Sequence, residues 1–309
     1  MSFNDSDKRV WLVTGASSGL GLALVNAVLA AGERVIATLR KPENLKDLEA
    51  KYPREQLLVQ RLDVTNLAEI KTVFDAARTH FGRLDVVVNN AGYGILAEIE
   101  ATPDEAARHN FEVQFWGPVN ITREAIKFLR DVNPKGHGGL VINISSVGGY
   151  LANAGISFYN ASKFALEGFT QAFVREMPPE WNIRGLIVEP GGFASEWAQG
   201  SMQTFPAPPE YGPTSPSVVM RATLDPSKND PLGLPERMAA AIMRVADVKG
   251  PLPLRLPLGS EAWAIVRGQA QRTLHETDEW AEVSHSTNRD GIDGPAFAKG
   301  IMETLKSLS

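Results

Sequence analysis

The chain has 309 residues, 43% hydrophobic and 22% charged, the make-up of a soluble globular protein with ample material for a core. Its 31 basic and 36 acidic residues leave a formal charge of −5 with no basic run, which argues against nucleic acid or an anionic membrane surface as a partner. Cysteine is absent, so disulfides, thiolate metal sites and thiol nucleophiles are excluded, and no metal site is expected.

Along the chain, short β-rich runs alternate with helical patterns. "VWLVTG" ends at Gly15, "RVIATLR" at Arg40, "LLVQRLDV" at Val64, "LDVVVNNAG" at Gly92, "GLVINISS" at Ser146 and "IRGLIVEPGG" at Gly192. Each run is nearly all apolar, the pattern of a strand buried on both faces. Amphipathic stretches such as "LALVNAVLAAG", "LAEIKTVFDAARTHFG" and "NITREAIKFLRDV" lie between them. This alternation predicts an α/β fold with a parallel sheet and helices on both faces, whose ligands bind at the carboxyl ends of the strands.

After Gly192 the texture changes. Residues 193–234 are rich in proline and show little helical periodicity beyond "SPSVVMRA", which reads as a substrate loop or lid or else as disorder. "PERMAAAIMRVADV" restores a helix, "PLPLRLPLG" reads as an edge strand or an extended segment because of its prolines, and a helix is expected from about Glu261. The expectation is one domain over 1–309, with 193–260 as substrate loop and substrate-side region and 261–309 as a helical extension. No apolar run reaches the roughly 18 residues of a membrane span. The opening "MSFNDSDKRV" lacks the pattern of a signal or transit peptide, so a cytoplasmic location is expected.

"TGASSGLG" follows the first strand and opens a helix, with Gly15, Gly19 and Gly21 spaced G-x-x-x-G-x-G. Glycines there permit a tight turn and close approach of a pyrophosphate, and the helix start offers free N–H groups and a positive dipole end. Gly15, Ser17, Ser18, Gly19, Leu20 and Gly21 are thus candidate cofactor contacts. An NAD site normally places an acid near the end of the next strand for the ribose 2′-hydroxyl. Here the chain reads Thr38, Leu39, Arg40, Lys41, and an Arg suits a 2′-phosphate, so NADP(H) is preferred over NAD(H), which stays open. Asp63 and Val64 end the third strand, where Asp63 has two readings: a contact to the adenine amino group, or a turn or capping residue.

Tyr159 and Lys163 in "SFYNASKFA" stand one helical turn apart, so both point to one face. A free tyrosine, with pKa about 10, recovers its proton slowly near neutrality, and a cation one turn away stabilises the phenolate. The bland alternatives are a rim hydroxyl and a snorkelling surface cation.

"TGASSGLG", "NNAG" at 89–92, "ISS" ending at Ser146, "YNASK" at 159–163 and "PGG" at 190–192 together resemble the short-chain dehydrogenase/reductase family, in its order and spacing over residues 8–195. The resemblance implies a Rossmann-like doubly wound sheet of about seven strands, a nicotinamide cofactor and a homodimer or homotetramer. It assigns acid–base catalysis to Tyr159, with Lys163 and Ser146 assisting. It places Asn90, Ala91 and Gly92 on the cofactor floor, counts Pro190, Gly191 and Phe193 among the cofactor contacts, and sets Ser195, where the family commonly has Thr, against the nicotinamide carboxamide. One departure stands out: Gln114 occupies the position where the family usually has an Asn, whose backbone carbonyl at a helix kink holds a water in a proton relay to the Lys. Both residues have that carbonyl, so kink geometry and relay rate are what the change puts in question.

Pocket candidates by position are Tyr93, Val147, Tyr150, Leu151, Phe193 and Trp197, an apolar, aromatic set that favours a bulky apolar ketone, aldehyde or alcohol. Phe193 and Trp197 read equally well as loop anchors. The long insert and C-terminal extension resemble the branch with retinol- and hydroxysteroid-type enzymes. The expected activity is NADP(H)-dependent carbonyl reduction or its reverse. A non-catalytic cofactor-binding scaffold is the alternative that Gln114 raises. A sugar-nucleotide epimerase fits less well, because the Gly spacing differs and no large C-terminal sugar domain follows.

Overall fold

The computed structural model describes residues 8–194, 200–225 and 233–307. Its seven-stranded parallel sheet contains β1 (Val10–Thr14), β2 (Arg34–Leu39), β3 (Leu57–Arg61), β4 (Val86–Asn89), β6 (Gly139–Ile144), β7 (Ile183–Pro190) and β9 (Arg255–Leu258). The order is β3-β2-β1-β4-β6-β7-β9, so strand order reverses on either side of β1. In such a sheet the crevice beyond the carboxyl ends of β1 and β4 is where a ligand binds. The proline-bearing run that ends at Leu258 is an edge strand, as its missing N–H donors require.

Alternation along β1 shows how the core divides. Trp11 and Val13 join one apolar cluster with α1 (Gly19–Ala30) and α8 (Pro235–Ala246), whereas Val10 and Leu12 join the other. The second cluster contains residues of α3 (Leu67–His80), α5 (Gly117–Asp131) and α6 (Ser157–Glu176). Helices on both faces explain why these strands carry apolar residues on both of their sides. Two short helices, α2 (Lys46–Lys51) and α4 (Asp104–Phe111), complete the strand connections.

The proline-rich insert folds back onto the sheet's carboxyl end. β8 (Gln203–Thr204) pairs in parallel with β5 (Ile95–Leu96), and α7 (Pro216–Thr223) follows. Met202 and Leu224 pack on Leu96, Ile156 and Tyr159. An ion pair fixes α7: Arg221 Nε and Nη2 donate to Glu98 Oε1 and Oε2 at 3.2 and 2.6 Å. The Glu98 side chain is only 1% exposed, and the Arg221 bond, with help from Ser217, holds its carboxyl below the usual Glu range despite burial. Beyond Trp263 a second compact unit begins at Ala264 and holds most of α9 (Ser260–Glu279), α10 (Ala281–Ser286) and α11 (Gly294–Ser307). Trp280, Phe297 and Met302 of that unit are exposed. Among the described residues no helix is long and apolar enough to cross a membrane.

Removing one member of a buried ion pair strands the other, at a cost of about 3–5 kcal/mol. Arg221→Met is therefore expected to release the insert, speeding limited proteolysis and hydrogen exchange in 200–225 while the central strands keep their protection. Unchanged exchange there would show that apolar packing alone holds the insert.

Candidate active site

The Gly-rich turn after β1 is held open by its neighbours. Gly15 (φ +66°) and Gly19 (φ +53°) have left-handed backbone that only glycine adopts without strain. A Cβ on Gly21 would overlap the Gly15 carbonyl and the Asn90 amide. Asn90 Nδ2 donates to the Thr14 carbonyl at 2.9 Å and to that of Gly15 at 3.2 Å, while Asn90 N and Ala91 N donate to Thr14 Oγ1. The "NNAG" segment thus braces the turn across the β1–β4 crevice. Ser18, at the N-cap of α1, makes no side-chain cap bond, and with Ser17 it is exposed. A narrow glycine cradle at a free helix N-terminus suits a pyrophosphate, so the residues present fit a dinucleotide.

At the end of β2, Arg40 is exposed and, among the described residues, has no carboxylate at ion-pair distance. Its charge reaches Asp63 and Tyr93. Thr38 is buried and bonds the Val13 carbonyl, so no acid occupies the place where an NAD site would hold one. Asp63 Oδ1 accepts from Thr65 N at 3.0 Å and Thr65 Oγ1 at 2.7 Å, which is the turn role. Burial pushes the Asp63 carboxyl up, but the two Thr65 bonds and the nearby Arg40 and His109 leave it below its ordinary value. Val64 is buried beneath it.

Helix α6 brings the next group together. Tyr159, Lys163 and Glu167 succeed one another at four-residue spacing on its buried face, with Leu166, Thr170 and Phe173 beside them. The Tyr159 hydroxyl is hydrogen-bonded to Ser146, which stands at the end of β6 and whose Oγ also accepts from Gly148 N at 3.0 Å. Burial raises the Tyr159 hydroxyl to about 12, with the Ser146 bond acting in the opposite direction. Lys163 Nζ lies 5.8 Å from the centre of the Tyr159 ring and donates to the Ile144 carbonyl at 2.8 Å. Burial lowers the Lys163 ammonium to about 7, against the opposing pull of Glu167. The structure gives the two serines of "ISS" different jobs: Ser146 meets Tyr159, while Ser145 Oγ donates to Glu167 Oε1 at 2.6 Å.

A hydroxyl pair, a buried cation on the same helix face and a glycine cradle across the crevice form one constellation. The sequence model described as short chain dehydrogenase matches residues 9–204. The chain belongs to the short-chain dehydrogenase family. An uncharacterised oxidoreductase of Schizosaccharomyces pombe is 37% identical over 298 residues, covering 96% of this chain and 97% of its own. A short-chain dehydrogenase structure from Streptomyces avermitilis matches with a TM-score of 0.81 and 37% identity, over 93% of this chain and all of that one. Another from Burkholderia cenocepacia, solved in complex with NADP, matches with a TM-score of 0.67 and 25% identity, over 87% and 96%.

Set in this short-chain dehydrogenase frame, Gln114 occupies a single π-helical turn, Glu112–Trp116, inserted between α4 and α5. Such turns bulge a helix and often mark functional sites. The bulge is therefore present with Gln in the Asn position. Gln114 is 1% exposed, and its Nε2 donates to the Tyr93 carbonyl at 2.5 Å, alongside Asn110 Nδ2 at 3.2 Å. Its amide thereby clamps the segment just after "NNAG".

The pocket candidates fall into two groups. Tyr93 is half-buried near His109, with ring centres 6.1 Å apart. Val147 lies in the turn after β6, followed by Tyr150 and Leu151, and the Tyr150 ring lies under the Arg255 guanidinium at 5.8 Å. Phe193 bridges Gly233 in parallel: Gly233 N bonds Gly192 O and Ala194 N bonds Gly233 O. That geometry turns the amide and carbonyl of Phe193 away from Gly233. Pro190 ends β7 and Gly191 follows. Ser195 and Trp197 lie outside the described residues. Sequence reasoning missed Glu261, which it took only as a helix start. Its Oε1 accepts from Gly192 N at 2.7 Å and so ties α9 to the "PGG" turn. Its position 69 residues downstream left no local signal. Among the described residues no group of three or more His, Asp or Glu is placed to hold a metal ion.

Gln114→Ala removes the stronger of two bonds to a buried carbonyl, a loss of about 1–2 kcal/mol. The expected result is a melting temperature lower by a few degrees and a weaker affinity for the nicotinamide cofactor, read by thermal unfolding and fluorescence titration.

Proposed function

We propose that the protein is an NADP(H)-dependent oxidoreductase that interconverts a bulky apolar ketone or aldehyde and the corresponding alcohol. The observation that carries this reading is the Tyr159 hydroxyl, bonded to Ser146, with the buried Lys163 ammonium on the same helix face. The cofactor, when bound, supplies or takes up the hydride. Everything else falls to the chain. Ser146 and Tyr159 hold the substrate oxygen between two hydroxyls, and Tyr159 gives a proton to the oxygen as its charge develops, or removes it in the reverse direction. Lys163 lowers the cost of the phenolate left behind.

Arg40 supports the NADP(H) preference, since it is exposed beside the crevice with no carboxylate partner among the described residues, and the NADP complex of the Burkholderia relative is consistent with it. The glycine cradle would hold the pyrophosphate and the Phe193 backbone the carboxamide. An apolar substrate is supported by Leu96, Ile156, Met202 and Leu224 around Tyr159. Assembly as a homodimer or homotetramer in the cytoplasm completes the reading as the family likeness implies it.

Screening NADPH oxidation against ketones and aldehydes graded by size is expected to find turnover that rises with apolar bulk. Tyr159→Phe is expected to lower kcat at least about 1,000-fold, equivalent to about 4 kcal/mol, with cofactor affinity retained. Tight cofactor binding without turnover across carbonyl and alcohol panels would point instead to the non-catalytic scaffold. Arg40→Ala is expected to weaken NADPH binding about 10-fold or more and leave NADH nearly unchanged. Equal affinities for the two cofactors in the unmodified protein would overturn the Arg40 assignment.

A further inference from the structure

Behind Lys163 lies a cluster of charges that the reaction as written does not use. Glu167 follows Lys163 by one turn of α6, Glu189 projects from β7, and Arg255 reaches both from β9. Arg255 Nε is 3.0 Å from Glu167 Oε2 and 3.3 Å from Glu189 Oε1. The side chains of Glu167 and Glu189 are 3% and 0% exposed, so two carboxyls share one guanidinium where water does not reach them. Gly149 makes room for the cluster, because a Cβ there would overlap both Glu167 Oε1 and Ser145 Oγ.

The two carboxyls are not equivalent. Glu167 accepts from Ser145 and from Arg255 at normal hydrogen-bond distances. Both oxygens of Glu189 are buried without a hydrogen bond to a donor, as drawn for a carboxylate. A proton on Glu189 resolves this, since its hydroxyl then donates to Glu167. Burial and the neighbouring negative charge of Glu167 both push the Glu189 carboxyl upward, in the same sense.

We propose that Glu167 and Glu189 hold one proton between them, on Glu189, and that the Glu167 carboxylate so maintained is the counter-charge that keeps the Lys163 ammonium charged beneath Tyr159. Glu167 is thus a positioning residue that acts through Lys163. The inference rests on the assignment of Tyr159 and Lys163 as the proton-handling pair. The other groups around Lys163 do not supply the charge. From its own helix it faces Tyr159; β6 offers the Ile144 carbonyl and Ser145, and Tyr150 beyond them stacks on Arg255. On β7 the remaining ion, Arg184, bonds the Val248 and Gly250 carbonyls. Arg108, His109 and Glu112 of α4 and the π turn are exposed, as are Arg123 and Lys127 of α5, whose Glu124 pairs with Lys127.

The test is a titration of the Lys163 side chain by carbon NMR in full-length protein labelled with carbon-13 lysine and glutamate. A lost carboxylate one turn away lowers the ammonium's pKa, so Glu167→Gln is expected to move the Lys163 midpoint down by about one pH unit or more. Glu189→Gln replaces an acid that is already neutral, and is expected to leave the midpoint within about 0.3 unit. In the unmodified protein one glutamate carboxyl should stay protonated above the ordinary range, and its resonance should be missing from Glu189→Gln. That measurement stands even if Glu167→Gln does not fold. An unmoved Lys163 midpoint in Glu167→Gln, an equal shift in both variants, or two ionised carboxyls at neutral pH would each overturn the proposal. The titration needs no substrate, so it is independent of whether the activity screen succeeds.

Discussion

The constraint on which this site depends is the burial of an ammonium. Lys163 is 5% exposed, and taking such a charge out of water costs several kcal/mol unless partners replace the lost solvent. One partner is the Ile144 carbonyl, free to accept because β6 ends there. Another is the field of Glu167. Glu167 in turn is buried and needs the Ser145 hydroxyl and Arg255, and Arg255 is presented by β9 at the edge of the sheet. One buried cation is therefore linked to residues on β6, α6, β7 and β9, elements far apart in sequence.

The parallel sheet makes such convergence cheap. All its strands deliver their carboxyl ends to one side, so each strand end is a place to mount a group without bending the chain. The Gly turn, the "NNAG" segment, Ser146 and the "PGG" turn all use such ends. Polar cross-links between them are internal and rigid. Asn90 joins β4 to the Gly turn, and Asn89, Asn143 and Thr170 form a buried chain from β4 through β6 to α6. A buried polar chain of this kind ties strand and helix positions to one another by directional bonds.

This division also explains what could be read from the residues in order. The strands, the sheet type, the edge strand over "PLPLRLPLG" and the Tyr–Lys face were legible because each is a local pattern: apolar runs, prolines, a four-residue step. Asp63 carried two local readings, and its Oδ1 bonds to Thr65 bear out the turn reading. The Arg221–Glu98 and Gly192–Glu261 links were not legible, since their partners are 123 and 69 residues apart and Arg221, Glu98 and Glu261 each alone look like ordinary surface charges. The small β5–β8 pair was hidden for the same reason, because two residues per strand leave no periodicity. At Gln114 the residue type could be read but the π turn could not, as it depends on how α4 meets α5.

The insert and the proton chemistry are coupled through one side chain. Met202 and Leu224 help make the wall that excludes water from Tyr159, and that exclusion is what raises its hydroxyl to about 12. The apolar cover therefore also makes the phenolate harder to form. The opposing influence has to come from a charged neighbour on the same buried face of α6. Lys163 is that neighbour, and its charge is useful only while it persists near neutrality, where burial has already brought it to the edge of deprotonation. The apolar cover over Tyr159 and the charges behind Lys163 are for that reason one problem, met at successive turns of one face of α6.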